Sequence, residues 1–246
     1  FEMADFIKYE QFRLEDGTFC RPEPVPNTIW ADDLFMSVPF MLRMAEYTGD
    51  QSWYDDIAHQ IVSFNSYLYD KKVNLYKHGW FSPDNETSIA FWARANGWVV
   101  WGIAEALEHM PEDHENYAEI LRIFREHMKG IVSYQDNSGL WHQVLDKPES
   151  YLETSASAMY VIGLSRGLRN GWLDESFSQH ALNGWRGLES RISEDGIVQG
   201  ICRGTAIGHS FEFYFERETF PNDPRGLGAF MQAAIELDKW INSETR

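Results

Sequence analysis

The sequence predicts an all-α fold in which helical hairpins form a toroid, and three observations lead to this class. Four short segments repeat along the chain at similar intervals, and each begins with a turn residue. Long runs between them carry apolar residues three and four positions apart, which is the spacing of amphipathic helices. No run has the length or alternation of a long sheet strand. A repeated helical hairpin with a short ribbon in each connection is typical of an α/α toroid.

The repeated segments are residues 17–20, 74–77, 139–142 and 196–199, and their first residues are 57, 65 and 57 positions apart. Each begins with glycine or asparagine, which tolerate turn conformations, and continues as a short extended stretch. Self-similarity at a near-constant period indicates an array of similar units. We therefore expect loop ribbons at these four places.

Helices are predicted in pairs at 31–48 with 51–70, 90–110 with 113–134, and 153–170 with 174–192, with a partial helix at 2–13 and an unpaired helix at 225–243. Stop signals support the ends, such as Gly49, Pro111 and Gly171. A toroid of six hairpins needs twelve helices, and about eight are predicted here. We therefore expect one domain over residues 1–246 that forms an incomplete ring or lacks the first part of one.

The composition limits the partners of this chain. There are 38 acidic and 21 basic residues, and the net charge of -17 disfavours nucleic acids and anionic membranes as partners. No run of 18 or more apolar residues occurs, so no membrane span is predicted. Cys20 and Cys202 show neither metal-ligand nor redox spacing, and they leave the compartment open between cytoplasm and periplasm.

Helices that follow a ribbon are equivalent members of the repeat, so their N-termini should converge at one end of the toroid. Backbone N–H groups and the helix dipole favour an anionic ligand group at such ends. We therefore expect a ligand site there. The chemistry-bearing residues at these positions are Asp32, Asp33, Trp92, Arg94, Glu153, Asp223 and Arg225.

The segment IWADDLFM places two carboxylates at a helix start, and two interpretations are open. Asp32 and Asp33 can act as an N-cap and a favourable first-turn charge. Alternatively, one of them points into the cavity and carries out chemistry. The two uses are compatible if each aspartate takes one of them.

Two further segments each have a functional and a structural interpretation. In FWARANGWVVW, Arg94, Trp98 and Trp101 share one helical face, which suits a carboxylate-bearing sugar or a structural cation–π pair. His78, in LYKHGW, is either part of the site or a satisfied structural histidine. No second His or Cys stands at ligand spacing, so no metal is predicted.

The segment TAIGHSFEFYFE, residues 205–216, alternates in a way that predicts an extended, aromatic-rich loop with His209, Glu212 and Glu216. A solvated ribbon explains it equally well. No nucleophile elbow, phosphate-binding glycine loop or dinucleotide fingerprint occurs in the chain, so no cofactor is predicted.

Five motifs together resemble those of the unsaturated rhamnogalacturonyl hydrolases, glycoside hydrolase family 105, which are relatives of the unsaturated glucuronyl hydrolases. In chain order they are IWADDLFMSVPFM, LYKHGW, FWARANGW, GLWHQVLDKPESYLETSASAMYVIGL and NDPRGLGAFMQAAIEL. The resemblance covers the chain from about Trp30 to its end. It implies a six-hairpin (α/α)6 barrel, and the first helices of that ring would lie upstream of this chain.

The resemblance also implies an activity. The family removes the 4,5-unsaturated uronic acid that a lyase leaves at the non-reducing end of pectin fragments. An acid protonates C4 of the enol ether, water adds at C5, and the hemiketal opens to release the sugar. The implied partners are therefore an unsaturated uronyl oligosaccharide and water as co-substrate.

Site residues follow from the same resemblance. The catalytic aspartate of the family matches Asp32, which would serve as general acid and base. A second family aspartate lies on an earlier helix, upstream of this chain. The residues matching those that bind the unsaturated sugar, together with the neighbouring indole, are His78, Trp92, Arg94, Trp98 and Trp30.

One departure from the family pattern concerns specificity. Phe81, Ser82 and Pro83 follow the His-Gly-Trp motif, where family members often have Asp-Glu and a longer loop. This leaves the specificity for the leaving group open. Two alternative functions also stay open: a non-catalytic oligosaccharide-binding protein with a degenerate site, and another (α/α)6 carbohydrate enzyme such as a sugar epimerase.

Overall fold

The computed structural model describes residues 2–243, which form paired helices joined by short ribbons. The helices are α1 (Glu2–Asp5), α2 (Asp33–Thr48), α3 (Ser52–Leu68), α4 (Ala93–His109), α5 (Tyr117–Ser133), α6 (Thr154–Arg169), α7 (Ser178–Glu189), α8 (Phe211–Phe215) and α9 (Pro224–Ser243). The strands are β1 (Thr28–Trp30), β2 (Tyr69–Asp70), β3 (Leu75–Tyr76), β4 (Gly79–Phe81), β5 (Glu86–Thr87), β6 (Trp141–His142), β7 (Leu152–Glu153), β8 (Ile201–Cys202) and β9 (Thr219–Phe220).

The helices form two layers. Helices α2, α4, α6 and α9 each follow a ribbon and pack side by side in that order. Helices α3, α5 and α7 each pack against the preceding member of that row, which makes them the outer layer. Most residues of α4 and α6 are buried, because neighbours cover these helices on several sides. The arrangement is the predicted toroid of hairpins.

The strands are short, as predicted. They pair antiparallel into one three-stranded ribbon, in the order β1-β4-β5, and three two-stranded ribbons. The first residues of the four repeated segments all have positive φ angles, namely Gly17 (88°), Asn74 (57°), Gly139 (87°) and Gly196 (77°). Gly139 shows why its residue type is needed, because a Cβ there would lie 2.0 Å from the carbonyl oxygen of Asn183.

A repeated backbone hydrogen bond joins three of the four inner helices, α2, α4 and α6, to the next ribbon. The N–H groups of Ala31, Ala93 and Thr154 donate to the carbonyl oxygens of His78, Gln143 and Gly200, at 3.0, 2.8 and 3.0 Å. The three donors occupy equivalent positions at or just before a helix start. The residues that follow them are Asp32, Arg94 and Ser155, which therefore lie at equivalent places around one end of the toroid.

Two sequence predictions are wrong in detail. Residues 205–216 are not an extended segment, because Phe211–Phe215 forms helix α8, whose N-terminus is capped by Ser210. The alternating pattern arises instead from an irregular loop followed by a helix with Tyr214 fully buried. The partial helix at 2–13 is shorter than predicted, since α1 gives way to a π-helical turn at Phe6–Glu10.

The remaining helix bounds differ from the predictions by a few residues. Helix α4 begins three residues later than predicted, because Trp92 makes a β-bridge with Val144. The helix predicted at 174–192 divides into a 3-10 turn at Glu175–Phe177 and helix α7. Within residues 2–243, no helix has both the length and the apolar character needed to cross a bilayer.

A buried ion network joins the inner helices α4, α6 and α9. Arg166 and Arg169 of α6 contact Glu236 of α9 as well as Glu105 and Glu108 of α4. Glu236 is 1% exposed. Burial alone raises the pKa of Glu236, but the hydrogen bond from Arg169 and the charge of Arg166 outweigh burial and lower it to about 2. Glu236 is therefore ionised in the folded protein at neutral pH.

We expect Glu236→Gln to lower the free energy of unfolding by about 3 kcal/mol at pH 7. The folded pKa lies below the unfolded value, so this stabilisation is present above the unfolded pKa and is lost as the pH falls towards 2. The difference between wild type and variant should shrink by about half at pH 3. Denaturant unfolding at pH 7 and pH 3 measures this difference in unfolding free energy. Asp238→Asn, which changes an exposed carboxylate on the same helix, is the control. An equal difference at both pH values would contradict the assignment.

Candidate functional site

The two aspartates of the IWADDLFM segment have different surroundings. Asp33, in the first turn of α2, accepts hydrogen bonds from Nε and Nη2 of Arg21 at 2.7 and 2.5 Å. Burial raises the pKa of Asp33, and Arg21 opposes the rise. Asp32 occupies the N-cap position but makes no capping hydrogen bond, and its Oδ2 is buried without a partner. Asp33 thus has a structural role as the partner of Arg21, and Asp32 is the carboxylate that remains available to a ligand.

His78 lies beside Asp32 and is fully buried. Its Nε2 is 3.4 Å from Oδ2 of Asp32, and its Nδ1 is 2.8 Å from the hydroxyl oxygen of Tyr214. The imidazole packs against the indole of Trp92, with ring centroids 4.4 Å apart, and against the edge of Trp30 at 5.7 Å. Both ring nitrogens therefore face groups with which they can exchange or share a proton.

Tyr214 contacts the ring nitrogen of His78 that faces away from Asp32. The tyrosine oxygen accepts the N–H of Gly208 at 2.9 Å, which leaves its own hydrogen for Nδ1 of His78. When the hydroxyl donates this hydrogen to Nδ1, the imidazole proton lies on Nε2, facing Asp32. Burial raises the pKa of Tyr214, and the charge of Asp32 adds to the rise, so the phenol keeps its hydrogen. The sequence analysis missed Tyr214, because an aromatic-rich segment does not show which ring turns inward.

Four polar atoms at or near Asp32 are buried without a hydrogen-bond partner among residues 2–243. They are Oδ2 of Asp32, Nε2 of His78, and the indole Nε1 atoms of Trp30 and Trp92. Buried polar atoms in proteins usually have partners, and an unsatisfied group calls for an explanation. A cluster of three potential donors and one acceptor in contacting side chains is typical of a site that a polar ligand completes.

Arg94 follows the first residue of α4 and is only 2% exposed. Its guanidinium donates to the carbonyl oxygens of Cys202 and Arg203, and it lies 4.8 Å from the ring centroid of Trp92. Within residues 2–243, no carboxylate lies at ion-pair distance from it. In the described residues the cation–π contact of Arg94 is therefore with Trp92, and not with Trp98 or Trp101 as the shared helical face suggested. The guanidinium is also a buried positive charge that lacks an anionic partner within residues 2–243.

Glu153, another acid at this end, is a helix cap. It is fully buried, and its carboxylate accepts the backbone N–H groups of Ser155, Ala156 and Cys202 at 3.1, 2.6 and 2.8 Å. The hydroxyl of Ser155 also donates to it at 2.8 Å. Since these donors occupy its lone pairs, Glu153 holds the start of α6 and strand β8 together and is not available to a ligand.

Asp223 is likewise engaged within the protein. Its carboxylate accepts the backbone N–H of Arg225 at 2.9 Å and pairs with the guanidinium of the same residue at 3.0 Å. Of the acids predicted at this end of the toroid, Asp33, Glu153 and Asp223 therefore have protein partners. Asp32 is the exception in the described part of the chain, because its Oδ2 has no hydrogen-bond partner and lies 3.4 Å from Nε2 of His78.

Trp98 lies on α4, one turn after Arg94, and its recorded ring contacts are with other residues than His78. Its ring stacks on Phe35, with centroids 4.7 Å apart, and on Trp101 at 5.9 Å. Phe35 belongs to α2, one turn after Asp32. Trp98 is partly exposed, so it combines a packing role between α2 and α4 with an open surface.

The groups presented by the site are one carboxylate, one imidazole, one phenol and one buried guanidinium. Residues 2–243 contain no cluster of three or more His, Cys, Asp or Glu side chains arranged to hold a metal ion. The arrangement suits an anionic ligand and a proton transfer between that ligand and Asp32.

Comparisons with known proteins identify the family to which this chain is similar. The model of Glycosyl Hydrolase Family 88 matches residues 1–241. The unsaturated rhamnogalacturonyl hydrolase YesR of Bacillus subtilis is 34% identical over 219 residues, which cover 87% of this chain and 62% of that protein. Protein Atu3128 of Agrobacterium fabrum is 31% identical over 231 residues, covering 82% of this chain and 97% of its own length.

A solved structure of a family 105 glycoside hydrolase from C. acetobutylicum superimposes with a TM-score of 0.90 at 29% identity, covering 97% of this chain and 72% of that one. These findings confirm the predicted all-α, (α/α)6 barrel class and the resemblance to family 105. The chain spans less than two thirds of the length of the Bacillus relative.

Proposed function

Because the chain belongs to Glycosyl Hydrolase Family 88, we propose that it is a glycosidase that acts on lyase-generated rhamnogalacturonan oligosaccharides. It releases the 4,5-unsaturated uronic acid from their non-reducing end. The observation that carries the proposal is the unpaired Oδ2 of Asp32, 3.4 Å from Nε2 of His78, where the inner helices begin. The name of the Bacillus relative supports this substrate class.

Asp32 acts as general acid and then as general base. It gives its proton to C4 of the C4=C5 double bond, and a water molecule adds its oxygen at C5 while the carboxylate takes up one proton from that water. The hemiketal at C5 opens to a ketone and leaves a hemiacetal at C1. That hemiacetal expels the leaving sugar with a free hydroxyl group, so one water is consumed for each bond broken.

Neighbouring residues prepare the site for this proton transfer. The Nε2 proton of His78 faces Asp32 and stabilises the carboxylate that forms when the proton leaves. Arg94 and the helix N-termini supply positive potential for the carboxylate of the uronic acid, in a chain whose net charge is -17. The partly exposed indoles of Trp30 and Trp98 form walls against which the sugar ring packs, and the buried indole of Trp92 packs on the imidazole of His78.

The decisive test follows the ultraviolet absorbance of the C4=C5 uronate after mixing the protein with a lyase-cut rhamnogalacturonan disaccharide. We expect the absorbance to decay as the double bond is hydrated. Absence of decay with folded protein would contradict the proposed activity. If calorimetry then showed binding of the disaccharide, the alternative of a non-catalytic oligosaccharide-binding protein would be favoured.

Tyr214→Phe should lower kcat by about tenfold. Without the phenol hydroxyl, Nδ1 of His78 can carry the proton itself, and a lone pair on Nε2 would then face Asp32. Steady-state kinetics and circular dichroism measure the effect, with Tyr9→Phe as a control on an exposed phenol. An unchanged kcat in a folded variant would show that Tyr214 does not position His78.

A further inference from the structure

A cavity of about 350 Å³ lies beside the three-stranded ribbon. We call it the ribbon–loop cavity, because strands β4 and β5 and the loop between β8 and α8 line it. The lining residues that matter for its chemistry are Phe81, Asp84, Glu86, Ser88, Gly208 and His209. Among them, Gly208 supports Tyr214 through its N–H, and the other five residues have no role in the proton transfer described above.

The ribbon connects this cavity to the site. Strands β1 and β4 pair so that Trp30 faces Gly79 and Thr28 faces Phe81. Residues opposite each other in an antiparallel pair project to the same side, so Trp30, Gly79 and Phe81 share one face. Trp80 projects to the other face, where it packs on Tyr67 at 4.6 Å.

The loop after β8 covers the face that Trp30 and Phe81 share. A Cβ on Gly79 would lie 2.1 Å from Cδ1 of Ile207, so the missing side chain allows this close approach. Gly208, which lines the cavity, donates its N–H to Tyr214, and Tyr214 contacts His78. The cavity is therefore linked to His78, the neighbour of Asp32, through Gly208 and Tyr214.

The cavity has an aromatic wall and an acidic rim. The rings of Phe81 and His209 stack with centroids 5.8 Å apart and planes 24° from parallel. Such faces suit the C–H face of a sugar ring. Asp84 and Glu86 are exposed at the rim, and no Lys or Arg is among the residues that line the cavity. Like charges at this rim disfavour a sulfate or carboxylate on the bound sugar.

We propose that the ribbon–loop cavity is the subsite for the leaving sugar, and that it selects an uncharged sugar over a sulfated one. The inference rests on the proposed function. Phe81 and His209 bind the ring, and Asp84 and Glu86 exclude anionic substituents. The segment with Phe81 is the one in which the sequence departs from the family pattern, so the subsite uses residues particular to this chain.

The first experiment compares two substrates that share the unsaturated uronate. One is the disaccharide with rhamnose as leaving sugar, and the other is the methyl glycoside, which cannot reach the cavity. Phe81→Ala and His209→Ala should each lower kcat/KM for the disaccharide by about tenfold, with a much smaller effect on the methyl glycoside. Phe220→Ala, which removes an exposed ring on β9, is the matched control.

The second experiment tests the charge selection. Wild type should prefer the unsulfated disaccharide over its sulfated counterpart by at least about tenfold, and the double variant Asp84→Asn/Glu86→Gln should reduce that preference. Equal rates on both disaccharides in wild type would overturn the selection. Equal losses on the disaccharide and the methyl glycoside in the Phe81 and His209 variants would overturn the subsite.

These outcomes separate the inference from the function on which it rests. If wild type converts the methyl glycoside but the Phe81 and His209 variants keep full activity on the disaccharide, the subsite is wrong and the proposed function stands. If wild type converts neither the methyl glycoside nor the disaccharides, the proposed function fails and the subsite fails with it.

Discussion

Asp32→Asn should reduce release of the unsaturated uronic acid by about 10³-fold or more, because the amide can neither give a proton to C4 nor take one from water. The same change should leave the fold intact. Within residues 2–243 the Asp32 carboxylate makes no capping hydrogen bond, and an amide oxygen at the same place can keep the 3.4 Å contact with Nε2 of His78, so the variant loses little stabilising contact. We expect the free energy of unfolding to change by less than about 0.5 kcal/mol.

The measurement is the decay of the uronate absorbance, together with denaturant unfolding of the same preparations. Asp33→Asn is the matched control, because it makes the same chemical change one residue away. It breaks the bidentate pair with Arg21 and should therefore reduce stability more than Asp32→Asn does, and activity less. Full turnover by the Asp32 variant would remove Asp32 from the mechanism.

Glu153→Gln, unlike Asp32→Asn, should mainly reduce stability. We expect it to lower the free energy of unfolding by about 3 kcal/mol. The buried carboxylate accepts three backbone N–H groups and one hydroxyl. An amide nitrogen cannot accept any of these donors, so at least one of them is left buried without a partner. The melting temperature should fall by about 9 °C for a chain of this size.

Thermal and denaturant unfolding of wild type, Glu153→Gln and Asp32→Asn in parallel test this difference. Glu153 also holds strand β8, and Arg94 binds the carbonyl of Cys202 in the same strand. We therefore expect the turnover that remains in the Glu153 variant to have a raised KM, because the loop after β8 is less firmly held. If Glu153→Gln were no less stable than Asp32→Asn, the capping role would be wrong.

Local features made the fold predictable. The apolar spacing located the seven long helices to within a few residues, and the glycine or asparagine at each ribbon start has the expected positive φ. These features depend on neighbours close in sequence, where residue type strongly limits the backbone. The convergence of helix starts followed from the repeat, because equivalent positions of a toroid face the same end.

The sequence by itself determined the helical toroid, its family resemblance and the end of the ring where chemistry-bearing residues gather. Tertiary structure alone decided how those residues divide their roles: Asp33 pairs with Arg21, Glu153 caps α6, and Asp32 keeps an oxygen without a hydrogen-bond partner beside His78. It also brought Tyr214 to His78, 136 positions away. The reason is physical. Whether a carboxylate stays available for chemistry depends on which hydrogen-bond donors the folded chain brings to it. Those donors lie on other elements, which no local sequence pattern specifies.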